Sequence, residues 1–140
     1  MLTALTIRDI VLIDALHLEV EAGLTVLTGE TGAGKSIILD ALGLALGGRG
    51  DAGLVREGAR QAVATAVFSA PDDPDLMALI AERGFEVTAG EELILRRILS
   101  SDGRSRAFIN DQPAGVTALR EIGQALVEVH GQHETVGLLD

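Results

Sequence analysis

Cysteine is absent from the 140-residue chain, which excludes disulfides, thiol nucleophiles and thiolate-ligated zinc or iron–sulfur centres. Aromatic residues are nearly absent as well: 2% of the chain, all phenylalanine (Phe68, Phe85 and Phe108). A platform on which single-stranded bases stack is thereby excluded. Positive charge is scarce, with 11 Lys and Arg against 21 Asp and Glu and a net charge of -10. Such a chain has no diffuse electrostatic hold on nucleic acid or anionic lipid, so any DNA contact has to be local or supplied by a partner. No uncharged apolar run reaches the roughly 18 residues that a membrane span needs, and Met1 to Asp9 lacks a basic stretch ahead of an apolar one. The expectation is a soluble, cytoplasmic protein with no membrane partner. What remains, 47% hydrophobic and 23% charged residues, is the composition of a folded domain, and the length has room for one.

The hydrophobic pattern orders the chain into strands and helices. Thr3 to Ile13 and Leu16 to Val20 are short apolar runs interrupted at Asp9 and Asp14, which predicts an opening hairpin or meander. Leu24-Thr25-Val26-Leu27-Thr28 predicts a buried strand. From Lys35 onward, Ile37, Ile38, Ala41, Leu42, Ala45 and Leu46 recur at three- and four-residue spacing, the stripe of a helix packed on a sheet, and Gly47-Gly48 ends it. After a glycine-punctuated loop, Gly50 to Gly58, the period-two pattern of Gln61 to Phe68 predicts another strand.

Asp73 is placed to cap a short helix opened by Pro74 and running through Arg83, with Gly84 as its stop. Glu92 to Leu99 and Ser105 to Ile109 flank Asp102-Gly103, a hairpin signal, and Asn110 to Pro113 make the next turn. Val116, Leu119, Ile122 and Leu126 predict a helix. Val127 to His130 are expected to form a strand leading into Gly131-Gln132-His133-Glu134.

Between the strand at 24–28 and the helix lies Gly29-Glu30-Thr31-Gly32-Ala33-Gly34-Lys35-Ser36, which satisfies G-x-x-x-x-G-K-[ST] in the strand-to-helix context that the pattern requires. The glycines let backbone N–H groups wrap an anion at a helix N-terminus. Lys35 is expected to reach the β- and γ-phosphates of ATP, and Ser36 to ligate Mg²⁺. Lys35 is the only lysine in the chain, a point charge kept where a phosphate needs one. The loop alone leaves NTPase and small-molecule kinase chemistry both open. An apolar strand ending in an acidic metal-holding residue is not found; Leu126 to His130 comes nearest.

Leu24 to Leu42, Glu92 to Arg97, Gly103-Arg104-Ser105-Arg106-Ala107-Phe108-Ile109-Asn110 and Val129-His130-Gly131-Gln132-His133-Glu134 together resemble, in this order, the RecN family of bacterial SMC-like DNA-repair ATPases. The resemblance covers essentially the whole chain. It implies an α/β P-loop fold, namely one lobe of an ABC-type ATPase head, with an N-terminal antiparallel β portion and a mixed sheet flanked by helices. It further implies that residues 1–140 are the N-terminal lobe, whose partners are a C-terminal lobe and coiled coil of the same protein, a second head and, through the assembly, DNA. The implied function is ATP binding within a DNA double-strand-break repair and recombination ATPase of the bacterial cytoplasm and nucleoid, with hydrolysis only after both lobes and two heads assemble.

By the same resemblance, Gly29 to Ser36 bind the triphosphate, and Gln132 is the Q-loop glutamine that contacts Mg²⁺ and the attacking water. Arg8 lies beside the nucleotide, and Arg56 stands where SMC heads carry an arginine linked to DNA-stimulated hydrolysis. Arg96, Arg97, Arg104 and Arg106 cluster across the predicted hairpin, where a DNA or second-lobe contact competes with a merely solvated face. His130, His133 and Glu134 lack the order of a zinc motif, and Asp72, Asp73 and Asp75 read as a capped turn. Two rival functions stay open on the residues alone: a small-molecule P-loop kinase with the arginines as its lid, and a nucleotide-responsive interaction module without turnover.

Overall fold

The computed structural model describes residues 2–19 and 32–129, with the backbone alone at 32–35 and 129. Strands β1 (Leu2–Ile10) and β2 (Ile13–Glu19) are followed by helix α1 (Gly32–Ala45), a single 3-10 turn (Ala52–Leu54), β3 (Gln61–Phe68) and α2 (Pro74–Glu82). Strands β4 (Leu93–Ser100), β5 (Ser105–Ile109) and β6 (Gln112–Ala114) then lead to α3 (Val116–Val129). The strands form one six-stranded sheet in the order β2-β1-β3-β4-β5-β6, antiparallel at every described pairing. The run 24–28, which would add a parallel strand and make the sheet mixed, lies outside the described residues.

Period-two alternation gives this sheet two unlike faces. Across β1, β3, β4 and β5 the register aligns Leu5, Ala66, Leu95 and Ile109 in one row and Ile7, Ala64, Arg97 and Ala107 in the next, all of them buried. Alanines at 62, 64 and 66 keep β3 thin where α1 lies over it, and Ile38, Ala41, Leu42, Leu44 and Ala45 of α1 join the same core. Leu119, Ile122 and Leu126 of α3 and Leu76 and Ile80 of α2 close it. The other face carries Thr6, Thr65, Arg96 and Phe108 in one row and Arg8, Val63, Ile98 and Arg106 in the next. Those residues are half-buried or exposed, and no described helix covers them.

The caps follow sequence chemistry. The Asp73 carboxylate accepts the Leu76 N–H at 2.9 Å, with Pro74 in the first turn of α2, and Gly84, at φ +88°, follows it. Three expectations are corrected. The β1–β2 turn falls at Val11-Leu12 rather than at Asp9 and Asp14, which lie inside strands. Segment 54–56 runs alongside and takes up the backbone there: Val11 N–H donates to Leu54 O and Arg56 N–H to Asp9 O, both at 2.8 Å. These bonds hold β-branched Val11 at φ +50°, a left-handed conformation costly to such a residue. Residues 127–129 continue α3 instead of forming a strand, because Val127 prolongs the apolar stripe of Leu119, Ile122 and Leu126. Finally, the expected turn at Asn110 to Pro113 is tighter, with Asn110 and Asp111 at positive φ, so that Gln112–Ala114 pairs as β6 with β5.

Candidate nucleotide-binding site

The phosphate-loop motif meets the described structure at Gly32, where α1 begins. The first described turn of this helix comprises Gly32 to Lys35, at the end of α1 where a helix presents its N–H groups and the positive end of its dipole. Ser36 is exposed at the end of that turn, with its hydroxyl on an accessible part of the helix. No acidic residue occupies the first turn of α1, so nothing there competes with an anionic ligand. A triphosphate with its Mg²⁺ fits this donor set. Gly29, Glu30 and Thr31 lie outside the described residues, as do Gln132, His130, His133 and Glu134; at Gly32, Ala33, Gly34 and Lys35 the backbone alone is described.

The far end of α1 is built with equal care. Gly47, at φ +93°, donates to Leu44 O at 3.1 Å while Gly48 donates to Gly43 O at 2.8 Å, the paired bonds of a Schellman cap. Arg97, reaching up from β4, donates from its guanidinium to Leu44 O at 3.2 Å and Gly48 O at 2.8 Å, and its Nε donates to the Ser105 hydroxyl. Arg120 of α3 donates to Gly47 O at 3.1 Å. Arg97 is only 2% exposed and is the one buried charged residue among the described residues. Burial, and then neighbouring Arg120, pull its pKa below the usual arginine value.

Helices α1 and α3 meet at the same place on glycine. A Cβ on Gly123 would lie 2.3 Å from Leu46 O, and one on Gly47 would lie 2.4 Å from the Arg120 Cα. No side chain fits at either point.

The arginine cluster expected on the β4–β5 hairpin is split by the pleat. Arg97 points into the core, whereas Arg96 lies on the open face, 3.4 Å from Asp111, and Arg106 is exposed beside Ile98. Arg104, at the turn, is exposed and pairs with Asp102 at 3.6 Å. Arg8 joins the open-face group: it borders a shallow cleft of about 380 Å³ with Asp9, Gln61, Val63, Arg96 and Ile98. The sheet stands between its strand face and α1. Arg56 is half-exposed and lies 3.7 Å from both Asp9 and Asp14, tying segment 54–56 to the β1–β2 hairpin.

The sequence reading missed Arg97 as a structural cation. The signal was available: odd positions of Leu93 to Leu99 are the buried set, and Arg97 is one of them. Among the described residues no group of three or more His, Asp or Glu side chains is placed to hold a metal ion, and no helix is long and apolar enough to cross a membrane.

A family model described as an AAA domain matches residues 4–128. The chain is 47% identical over 133 residues to the DNA repair protein RecN of Vibrio cholerae, covering 95% of this chain and 24% of that protein. It is 41% identical over 140 residues to RecN of Bacillus subtilis, covering 100% of this chain and 24% of that protein. It thus spans about a quarter of the length of the curated relatives it matches. Among solved structures, a chain from "Structural biochemistry of ATP-driven dimerization and DNA stimulated activation of SMC ATPases" superposes with a TM-score of 0.68 at 22% identity, over 99% of this chain and 90% of that one. The SMC head domain from Thermotoga maritima superposes with a TM-score of 0.56 at 18% identity, over 86% of this chain and 41% of that one. At these identities the likeness fixes the fold, that of one lobe of an ABC-type P-loop ATPase head.

Proposed function

From a chain that belongs to the AAA domain family and aligns along its length with RecN DNA repair proteins, we propose the ATP-binding N-terminal lobe of a split ABC-type head, part of a DNA repair and recombination ATPase. One observation carries this reading: the motif Gly29 to Ser36 runs directly into a helix that starts at Gly32 and carries no acidic side chain in its first turn. Gly29 to Ser36 hold the triphosphate, with Lys35 as the cation on the β- and γ-phosphates and Ser36 on Mg²⁺. Gln132 contacts Mg²⁺ and the attacking water. ATP bound with Mg²⁺ supplies the phosphoryl group and its charge neutralisation; the chain's own part is to bind and orient it.

An apolar strand ending in a metal-holding acid is missing from the sequence, so turnover requires the C-terminal lobe, and with it the coiled coil and a second head. DNA is the partner of the assembly. For Arg8, two roles compete, a neighbour of the nucleotide or a member of the basic face with Arg96 and Arg106. Its place on the sheet face turned away from α1 supports the second. That face concentrates positive charge locally in an acidic chain, which suits phosphates of the nucleic-acid backbone.

The test is Mg-ATP binding and phosphate release by this chain with and without a C-terminal lobe that carries the ABC signature and the Asp-Glu strand. Binding by the chain and turnover only with the added lobe are expected. Lys35→Ala abolishes binding without unfolding the domain. Gln132→Ala in the reassembled head lowers hydrolysis more than it lowers ATP affinity. Phosphate transfer by the 140-residue chain alone would instead indicate a self-sufficient P-loop kinase.

A further inference from the structure

We propose that Arg97 is a positioning residue for the nucleotide: from inside the core it fixes the C-terminal end of α1, and so holds the helix's opposite end in register with the phosphates. The inference rests on the reading of Gly29 to Ser36 as the phosphate loop.

A guanidinium 2% exposed is expensive to bury and ordinarily finds a carboxylate. Among the described residues no carboxylate pairs with it. Its hydrogen-bond partners are Leu44 O in the last turn of α1, Gly48 O just past its cap and the Ser105 hydroxyl. The favourable charge interaction is therefore with the end of α1 itself. An apolar side chain would fill the same row of the core between Ala64 and Ala107 without this cost, so packing does not call for arginine. What arginine adds is a planar guanidinium whose Nη1 donates to both carbonyls while its Nε donates to Ser105, so that the bond at Nε fixes the plane from which Nη1 reaches them.

Arg120 holds Gly47 O from α3, and the glycine contact at Gly123 fixes the distance between the two helices. Sheet and helix layer thus grip α1 by its last turn. The helix is 14 residues long, about 21 Å at 1.5 Å per residue. A tilt at the held end therefore displaces the phosphate-binding turn by a lever of that length. Misplacement by about 1 Å is enough to weaken the positioning of bound groups severely.

The experiment is carried out on the intact protein, measuring Mg-ATP affinity by calorimetry and steady-state KM and kcat for ATP, with Arg97→Met, Arg97→Lys and Ser105→Ala. Ile109→Val, a cavity variant in the same core, serves as a control for general destabilisation. Arg97→Met is expected to weaken Mg-ATP binding by about tenfold, the scale of a part-buried charge–dipole contact. KM rises and kcat at saturation changes little, because ground and transition states lose the same hold. Arg97→Lys, which keeps the charge but not the planar group held at Nε, recovers part of the loss, and Ser105→Ala loses affinity by a smaller factor. Ile109→Val leaves affinity unchanged.

Folded Arg97→Met with the parent's affinity overturns the proposal. So does a loss matched by Ile109→Val at equal change in Tm. Where Arg97→Met does not fold, parental affinity in both Arg97→Lys and Ser105→Ala overturns it. Absence of Mg-ATP binding by the unaltered protein would instead refute the phosphate-loop reading, a separate outcome.

Discussion

Arg96 and Arg97 are neighbours of the same residue type on one strand, and the pleat gives them opposite fates. Arg97 is buried under α1 and satisfies the carbonyls at its end, while Arg96 stands on the open face with its side chain 38% exposed beside Asp111. The same division runs through the whole sheet. Among the described residues the helix-covered face is apolar with one cation, and that cation bonds the carbonyls at the end of α1. The other face mixes Val63, Ile98 and Phe108 with Arg8, Arg96 and Arg106, too wet for a core and too basic for an indifferent surface of an acidic chain. On the proposed function the two faces divide the work, with support of the nucleotide helix assigned to the covered side and contact with phosphate backbone assigned to the open one.

The largest test of this contrast is to empty one position on each face. Leu95, fully buried on the covered face, is expected to cost about 2–5 kcal/mol as Leu95→Ala. Ile98, half-buried on the open face, is expected to cost about 1 kcal/mol as Ile98→Ala, because much of its area is already in water. Urea unfolding of the two variants measures the difference. Equal losses would break the contrast, since they would mean that the open face is itself covered in solution.

Next in size is the glycine contact that seats α3 against the end of α1. Gly123→Ala puts a methyl 2.3 Å from Leu46 O, an overlap that the helices relieve only by moving apart. A loss of about 1–3 kcal/mol is expected, as for other overpacked contacts. Gly43→Ala, whose Cβ would meet nothing within 4 Å on the exposed side of α1, is expected to be neutral or stabilising by about 0.5–1 kcal/mol. Thermal unfolding of the pair separates a glycine kept for contact from one that is dispensable to packing.

Gly47 and Gly123, the two glycines at which α1 and α3 meet, also show where sequence is legible and where it is not. Gly47 stood out as a helix stop because it follows the apolar stripe of α1, and the capped start at Asp73-Pro74 and the hairpin at Asp102-Gly103 were equally plain, being local chemistry. Gly123 gave no signal, since its reason is a backbone 77 positions away in the chain, at Leu46. The turn at Val11-Leu12 was misplaced for a related reason: strand-breaking aspartates are outvoted there by bonds from segment 54–56. As for the candidate site, the phosphate motif was readable residue by residue, while the far-end grip by Arg97 and Arg120 depends on long-range register. An arginine in a buried-period position was the clue, and grouping it with its three hairpin neighbours by charge alone concealed it.

A smaller effect on stability, but a sharper one on function, belongs to the open face. Arg96→Ala combined with Arg106→Ala is expected to change folding stability by no more than about 0.5 kcal/mol, as for exposed side chains in general. Should this face meet DNA in the assembled protein, the slope of log affinity against log salt shallows by about 1 for each phosphate contact removed. Fluorescence titration of duplex DNA at several salt concentrations reads that slope, and an unchanged slope removes the face from the DNA contact.

The smallest expected effect concerns the pair that joins α2 to α3 behind the covered face. The Arg83 guanidinium hydrogen-bonds the Glu121 carboxylate, holding the Glu121 carboxyl below its usual value and the Arg83 pKa above its own. A carboxyl lowered on folding stabilises above its unfolded pKa and loses that contribution as pH falls through its folded pKa. Both side chains are more than a third exposed, so screening by water and salt leaves the pair a minor share of stability. Glu121→Gln should therefore lower Tm slightly at neutral pH and low salt, less at high salt, and not at all once the parent carboxylate is protonated in acid. A shift as large as that of Gly123→Ala would mean that α3 is held by charge rather than by close packing, and the grip on α1 would have to be sought on the exposed side of the helix layer instead of in the core.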